Sequence, residues 1–193
     1  VGDRGGGFMI VCCFHTGGAY KAEAERLEKS LKRLGLKYRI DELPSRGSWD
    51  RNILITPEYI RDVMYTTSEP VLYVDADAEF HSVPEFDRGY DVQVHYLQGR
   101  ELLDGTLWLA NNPISRDLVH QWCNEVRVGE WEQLTLQNIL TRRHDIRVNR
   151  LAPEYCFIYD TSRALHPGVE PIIEHHQASR RLKREVSDAV EPA

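Results

Sequence analysis

Apolar runs that stop abruptly at polar residues set the rhythm of the first half of the chain. FMIVCCFH, residues 8–15, is continuously apolar and bounded by glycines, which predicts a strand buried on both faces. After a TGGAY turn, AYKAEAERLEKSLKRLGL places leucines at 27, 31 and 34 and then meets Gly35, the signature of an amphipathic helix with a glycine stop. KYRIDEL reads as the next strand. A strand–helix–strand succession of this kind predicts a parallel sheet. PSRGSWDRN reads as a polar loop, PEYIRDVMYTT as a second helix with Pro57 in its first turn, and VLYV at 71–74 as a second buried strand.

The second half is more mixed. DVQVHY and TLWLAN predict strands, ISRDLVHQWCNEV and WEQLTLQNILTRR predict helices, and DIRVNRL and EYCFIY look extended. PIIEHHQ predicts a short strand, followed by a basic tail expected to be helical. With no internal repeat and no linker, the pattern describes one α/β domain over 8–185, with a loose leader at 1–7 and a frayed end at 186–193. The expected sheet is largely parallel in its first half, mixed afterwards, and flanked by helices.

Composition narrows the classes. The 193 residues are 41% hydrophobic, enough for a sizeable core, and no apolar run approaches a membrane span. The glycines at 5–7 lack a following Gly-Lys-Ser/Thr, which argues against a phosphate-binding loop. Four cysteines without a CxxC pair argue against structural zinc. Free thiols and the lack of an apolar signal region point to a reducing, cytoplasmic setting. The net charge of -6 is uneven: residues 142–184 carry nine Lys/Arg against five Asp/Glu. The cluster Arg180, Arg181, Lys183 and Arg184 is either a solvated helix face or a contact for phosphates.

The candidate chemistry centres on VLYVDADAEF, 71–80, where a buried strand runs into two aspartates. Ligands of open α/β sheets bind at the carboxyl ends of strands. Asp75 and Asp77 offer two hard oxygen ligands there, suited to Mg²⁺ or Mn²⁺ shared with substrate phosphates. Both side chains fall on one side if strand geometry persists through Ala76, and the small Ala76 and Ala78 leave room for a bulky ligand. Thr16 and Gly17 lie in a turn whose backbone can approach a base or phosphate closely, and Tyr20 could stack on a base. Trp49 and Arg51 share a polar loop, where the guanidinium fork suits a diphosphate. Asp104 and Gly105 read either as an Asp-Gly turn or as a carboxylate beside a glycine that admits a sugar. Glu132 and Gln133 open a helix, as a dipole-favoured acid or as sugar-facing groups. His175 and His176 end an apolar strand and point to opposite faces; His175 is favoured as a metal ligand.

Taken in order, FHTGGAY, GSWDRNILITPEYI, VDAD, LLDGTLWLANNP, WEQLTLQNIL and PIIEHHQASR resemble the ordered motifs of GT-A fold glycosyltransferases, nucleotide-diphospho-sugar transferases related to the glycogenin-type enzymes. The resemblance runs from residue 8 to about 180 and departs where relatives carry Lys and this chain has Thr56 before Pro57. It implies a GT-A type, Rossmann-like sheet and a nucleoside diphosphate sugar donor, most simply a UDP-sugar. It implies Mn²⁺ or Mg²⁺ on Asp75, Asp77 and His175, with Arg51 and Arg180 on the diphosphate. The asparagine after LLDGTLWLA would line the sugar pocket, and Asp104, Glu132 and Gln133 would face the sugar or acceptor, one acid serving as base if the enzyme inverts. The leading acceptor is 5-hydroxymethylcytosine in DNA, as in similar phage enzymes, with Arg142, Arg143 and the tail on phosphates. A saccharide or lipid-linked glycan is the alternative acceptor; a non-catalytic nucleotide-sugar binder and an aspartate-nucleophile phosphatase are the alternative classes. Neither a membrane nor an obligate protein partner is implied.

Overall fold

The computed structural model describes residues 9–177. The expectations for the leader and for the basic tail, including Arg180, fall outside the described residues. In chain order the elements are β1 (Ile10–His15), α1 (Ala19–Leu34), β2 (Tyr38–Glu42), α2 (Trp49–Asn52), α3 (Ile55–Thr66), β3 (Val71–Val74), β4 (Ala78–Phe80), β5 (Val92–Leu97) and β6 (Glu101–Leu109). There follow α4 (Pro113–Glu125), α5 (Glu132–Arg142), β7 (Val148–Leu151), a 3-10 turn (Pro153–Tyr155), β8 (Phe157–Ile158), α6 (Tyr159–Leu165) and β9 (Ile173–His175).

Six strands form one sheet in the order β2-β1-β3-β6-β5-β7, and a small second sheet runs β4-β9-β8. β1 pairs in parallel with both β2 and β3, and β5 with β7; β6 is antiparallel to both its neighbours. The architecture is therefore a single α/β domain with a mixed, mostly parallel sheet flanked by helices, as the pattern of strands and helices predicts.

Alternation along β1 shows why the sheet needs cover on both faces. Ile10 and Cys12 join a core with Ile60 and Val63 of α3, Trp122 of α4 and Ile139 of α5. Val11 and Cys13 point the other way, into a core with Leu27 and Leu31 of α1, Phe80 and Trp108. Each fully buried leucine stabilises by roughly 1.5–3 kcal/mol relative to exposure. Helix α1 ends where Gly35 adopts φ 66, and the Gly35 and Leu36 N–H groups close on the carbonyls of Lys32 and Leu31.

Three segments differ from expectation. The loop PSRGSWDRN contains the short helix α2. The strand expected at TLWLAN starts earlier, at Glu101, and carries Asp104 and Gly105 inside it. EYCFIY is not continuously extended, since β8 lasts two residues and Tyr159 opens α6. Among the described residues no helix is long and apolar enough to cross a membrane.

One buried carboxylate fastens the far edge of the sheet. Asp91 is closed to solvent and accepts hydrogen bonds from Asn112 Nδ2 (2.7 Å) and from Arg147 N (2.8 Å), Nε (3.2 Å) and Nη2 (3.0 Å). Burial disfavours its charged form, but the Arg147 and Asn112 donors outweigh this and hold its pKa below the ordinary value. Asp91→Ala is expected to cost about 2–4 kcal/mol, because the Asn112 amide and the Arg147 N–H lose their acceptor. A folded-state pKa below the unfolded one means that this contribution is complete above the unfolded value, about 3.9, and is lost as pH falls through the folded value. Urea titrations of both proteins should therefore show a gap that is constant near neutrality and narrows below about pH 4.

Candidate active site

The aspartates sit where the chain leaves one sheet for the other. β3 ends at Val74; the Asp75 N–H donates to the Gly105 carbonyl (3.0 Å), and the Ala78 N–H closes a turn on the Asp75 carbonyl (3.0 Å). Strand geometry thus does not persist through Ala76, contrary to the expected alternation. The turn instead passes the chain into β4, which pairs antiparallel with β9 so that Ala78 lies opposite His175. The His176 N–H adds a bond to the Asp77 carbonyl (3.2 Å). This crossing brings together three side chains distant in sequence: one ligand atom each from Asp75, Asp77 and His175 lies within 4.8 Å of the others. His176 leaves on the other side, its Nε2 on Glu79 Oε2 (3.0 Å) and its ring stacked on Tyr159.

β6 supplies the floor. The register with β5 jumps between Val94, opposite Leu107, and His95, opposite Leu103, so Asp104, Gly105 and Thr106 bulge free of β5. A bulge bends its strand and re-aims side chains, and here it faces the aspartate turn. Thr106 Oγ1 meets His175 Nε2 at 2.8 Å, while His175 Nδ1 lies 3.3 Å from Asp77 Oδ1. A Cβ on Gly105 would stand 3.0 Å from Asp75 Oδ2 and 3.4 Å from His175 Cε1. Asp104 therefore lies in a strand bulge rather than an Asp-Gly turn.

A cleft of two lobes meets over the aspartates. Trp49, Asp75, Asp77 and Glu132 line both. One lobe, about 180 Å³, has aromatic walls from Phe14, Tyr20 and Tyr73, with His15, Thr16, Thr56 and Ala76 between them. The other, about 300 Å³, is walled by Glu101, Asp104, Gly105, Gln133, Trp131, Cys156, Ile158, His175 and Gln177. No lysine or arginine lines either lobe among the described residues.

The electrostatics follow from that excess of acid. Asp75 keeps open access to the cleft, but the surrounding protein excludes much of its water. This and the neighbouring Asp77 charge raise its pKa, against the opposing pull of His175 and of the Tyr73 hydroxyl, which donates to Asp75 Oδ1 at 3.0 Å. Burial, then Glu132 and Asp75, push Asp104 well above the usual carboxylate range. Glu132 is raised to about 7, chiefly by burial and further by Asp75. Burial disfavours a charged His175, yet the Cys156 sulfur and Asp77 outweigh it and raise its pKa. Facing carboxylates with an imidazole and no described lysine or arginine form a donor set that a divalent ion fits: hard oxygens and one nitrogen suit Mn²⁺ or Mg²⁺.

No family model matches the chain, and no curated protein matches it. Among solved structures it is similar to "a glycosyltransferase involved in the glycosylation of the major capsid of PBCV-1", with a TM-score of 0.71 and 15% identity over 95% of this chain and 100% of that one. The chain shares the fold of that structure. In this chain, Thr16, Tyr20, Trp49, Asp75, Ala76, Asp77, Asp104, Gly105, Glu132, Gln133 and His175 converge on one cleft. Gly17 does not line it: with φ 76 it shapes the adjoining turn, where its N–H donates to His15 Nδ1 (3.2 Å). Arg51 is exposed on α2 and outside both lobes. Arg142 and Arg143 lie at the far end of the helix that Glu132 opens, paired with Glu125 and with Asp117 and Asp145.

The asparagines after LLDGTLWLA also stand away from the cleft. Asn111 staples the turn before β3 by donating to the carbonyls of Thr67 (2.8 Å) and Glu69 (2.9 Å), and Asn112 caps α4. Sequence reading missed much of the second lobe: Cys156, Ile158 and Gln177 arrive by long-range pairing of β8 with β9, with no local signal. It also missed the role of Trp122, whose buried indole donates to the Glu132 carbonyl (2.9 Å) and fixes the start of α5 at the cleft.

Proposed function

We propose that the chain is a metal-dependent glycosyltransferase that moves a sugar from a nucleoside diphosphate sugar, of the UDP-sugar class, to a hydroxyl acceptor. The observation that carries this is the convergence of Asp75, Asp77 and His175 at the junction of an aromatic and an acidic lobe. In this reading the nucleoside occupies the aromatic lobe, with Tyr20 or Trp49 against the base and the Thr16 segment beside it. Asp75, Asp77 and His175 would hold Mn²⁺ or Mg²⁺, which would supply neutralisation of charge on the departing diphosphate. Ala76 leaves room for the diphosphate. Gly105 admits the sugar next to the triad, while Asp104 and Gln133 hold its hydroxyls. Glu132, with its pKa near 7 and its place on both lobes, is the better base of the two acids if the enzyme inverts. Arg51 stands outside both lobes, and Arg180, the other diphosphate candidate, lies outside the described residues.

On the acceptor, charge favours a saccharide over DNA. The described rim is acidic, and Arg142 and Arg143 are paired at the other end of α5, so neither is placed to receive a phosphate backbone beside the cleft. The structural neighbour acts in the glycosylation of a capsid protein, which fits an acceptor other than a nucleobase.

Calorimetric titration with UDP tests the donor assignment. UDP is expected to bind with Mn²⁺ present and at least about ten-fold more weakly after chelation, since the ion would supply positive charge that the acidic cleft otherwise lacks for a diphosphate. Metal-independent binding, or none, contradicts it. Offering a 5-hydroxymethylcytosine oligonucleotide and a set of simple glycosides with radiolabelled UDP-sugar then separates the acceptors; label on the oligonucleotide alone would reverse the preference.

A further inference from the structure

The acidic lobe carries more information than the presence of a sugar site. Asp104 is only 8% exposed, and its Oδ2 is buried with no hydrogen-bond partner among the described residues. An unpaired buried carboxylate oxygen is costly, and a wall of the cleft is a place where a ligand can pay that cost. Four more carboxylates line the same lobe, Glu101 and Glu132 beside the metal-site pair Asp75 and Asp77, and Gln133 Nε2 already donates to Glu101 Oε1 at 3.2 Å. No described lysine or arginine lines the lobe to compensate them.

Resting on the reading of the cleft as a nucleotide-sugar site, we infer that the donor sugar is a neutral one, and that Asp104 and Glu101 reject sugars bearing a carboxylate. A sugar hydroxyl both donates and accepts, so it satisfies Asp104 Oδ2 whichever protonation state the carboxyl adopts. A uronate would instead add a further anion to a partly enclosed lobe already lined by the carboxyl groups of Asp75, Asp77, Glu101, Asp104 and Glu132. Like charges there repel strongly, and the uronate would find no described guanidinium fork to receive it. The lobe thus selects by what it repels as much as by what it binds.

Competition against UDP, with Mn²⁺ supplied, measures this without any turnover. UDP-glucose, UDP-galactose and UDP-N-acetylglucosamine are compared with UDP-glucuronate and UDP-galacturonate. At least one neutral sugar nucleotide should match or exceed the affinity of UDP, and both uronates should bind at least about ten-fold more weakly than it. Glu101→Arg, at an exposed position where folding is not at stake, should narrow or invert that gap by raising uronate affinity. Asp104→Asn, of the same shape, should narrow it as well. A uronate that binds as tightly as the best neutral sugar overturns the inference while leaving the nucleotide-sugar reading intact. An unchanged gap in both variants also overturns it, by removing the carboxylates as the cause. Failure of UDP itself to bind rejects both readings.

Discussion

Asp77→Asn should abolish tight Mn²⁺ binding and lower glycosyl transfer by about 10³-fold, with the fold unharmed. The substitution keeps the size of the side chain but replaces an anionic ligand by a neutral one in a set of three among the described residues. Neutralising a leaving diphosphate accounts for several kcal/mol of barrier, and about 4 kcal/mol is a thousand-fold in rate. Stability should change little, within about 1 kcal/mol, because the native pair is already strained: Asp77 raises the pKa of Asp75 by repulsion. Electron paramagnetic resonance of free Mn²⁺ reads the affinity directly, and thermal melting reads the fold. Glu79→Gln, two residues on, is the control. Glu79 meets His176 rather than the cleft, and its substitution should leave Mn²⁺ affinity unchanged.

Gly105→Ala is the second large effect, and it comes from space rather than charge. Gly105 does not need a positive φ, so its backbone accepts alanine. What the new methyl meets is the triad: Asp75 Oδ2 at 3.0 Å and His175 Cε1 at 3.4 Å. Asp75 is tethered on its other oxygen by Tyr73, and His175 is held by Thr106 and Asp77, so neither side chain gives way without leaving its hydrogen bonds. Displacing supporting or ligating groups by such amounts costs about 10–100-fold in metal affinity or rate. The same Mn²⁺ titration should show a weakened site, with the melting temperature nearly unchanged. A loss of stability with metal affinity intact would mean that Gly105 serves the sheet, not the site.

Much of this architecture was legible in the chain. The two-sided burial of β1, the leucine spacing and glycine stop of α1, and the abrupt end of VLYV are local patterns that the cores preserve. The pairing of His175 with the aspartates was reachable only through the order of motifs, because β4 and β9 are nearly a hundred residues apart. Misreadings cluster where a local signal was overruled by tertiary pairing. Asp-Gly is a strong turn signal, yet at 104–105 the strand continues as a bulge, since Val74 pairs with Thr106 and the Asp75 N–H bonds the Gly105 carbonyl where β5 offers no partner. The aromatic, β-branched character of EYCFIY suggested a longer strand than β8. The asparagine at 111 looked like a ligand-facing group, but it spends its side chain on backbone carbonyls at the opposite end of β6. Arg51 is exposed on α2, while Trp49 and Asn52 of the same helix line the cleft.

The central claim, a nucleotide-sugar site built on Asp75, Asp77 and His175, is tested most directly by UDP release. A panel of UDP-sugars is incubated with the protein and Mn²⁺, and released UDP is quantified for the intact chain, for the chelated sample and for Asp77→Asn. The account predicts release from at least one donor, lost on chelation and lost in the variant. No release from any donor, or equal release by the variant, would contradict it.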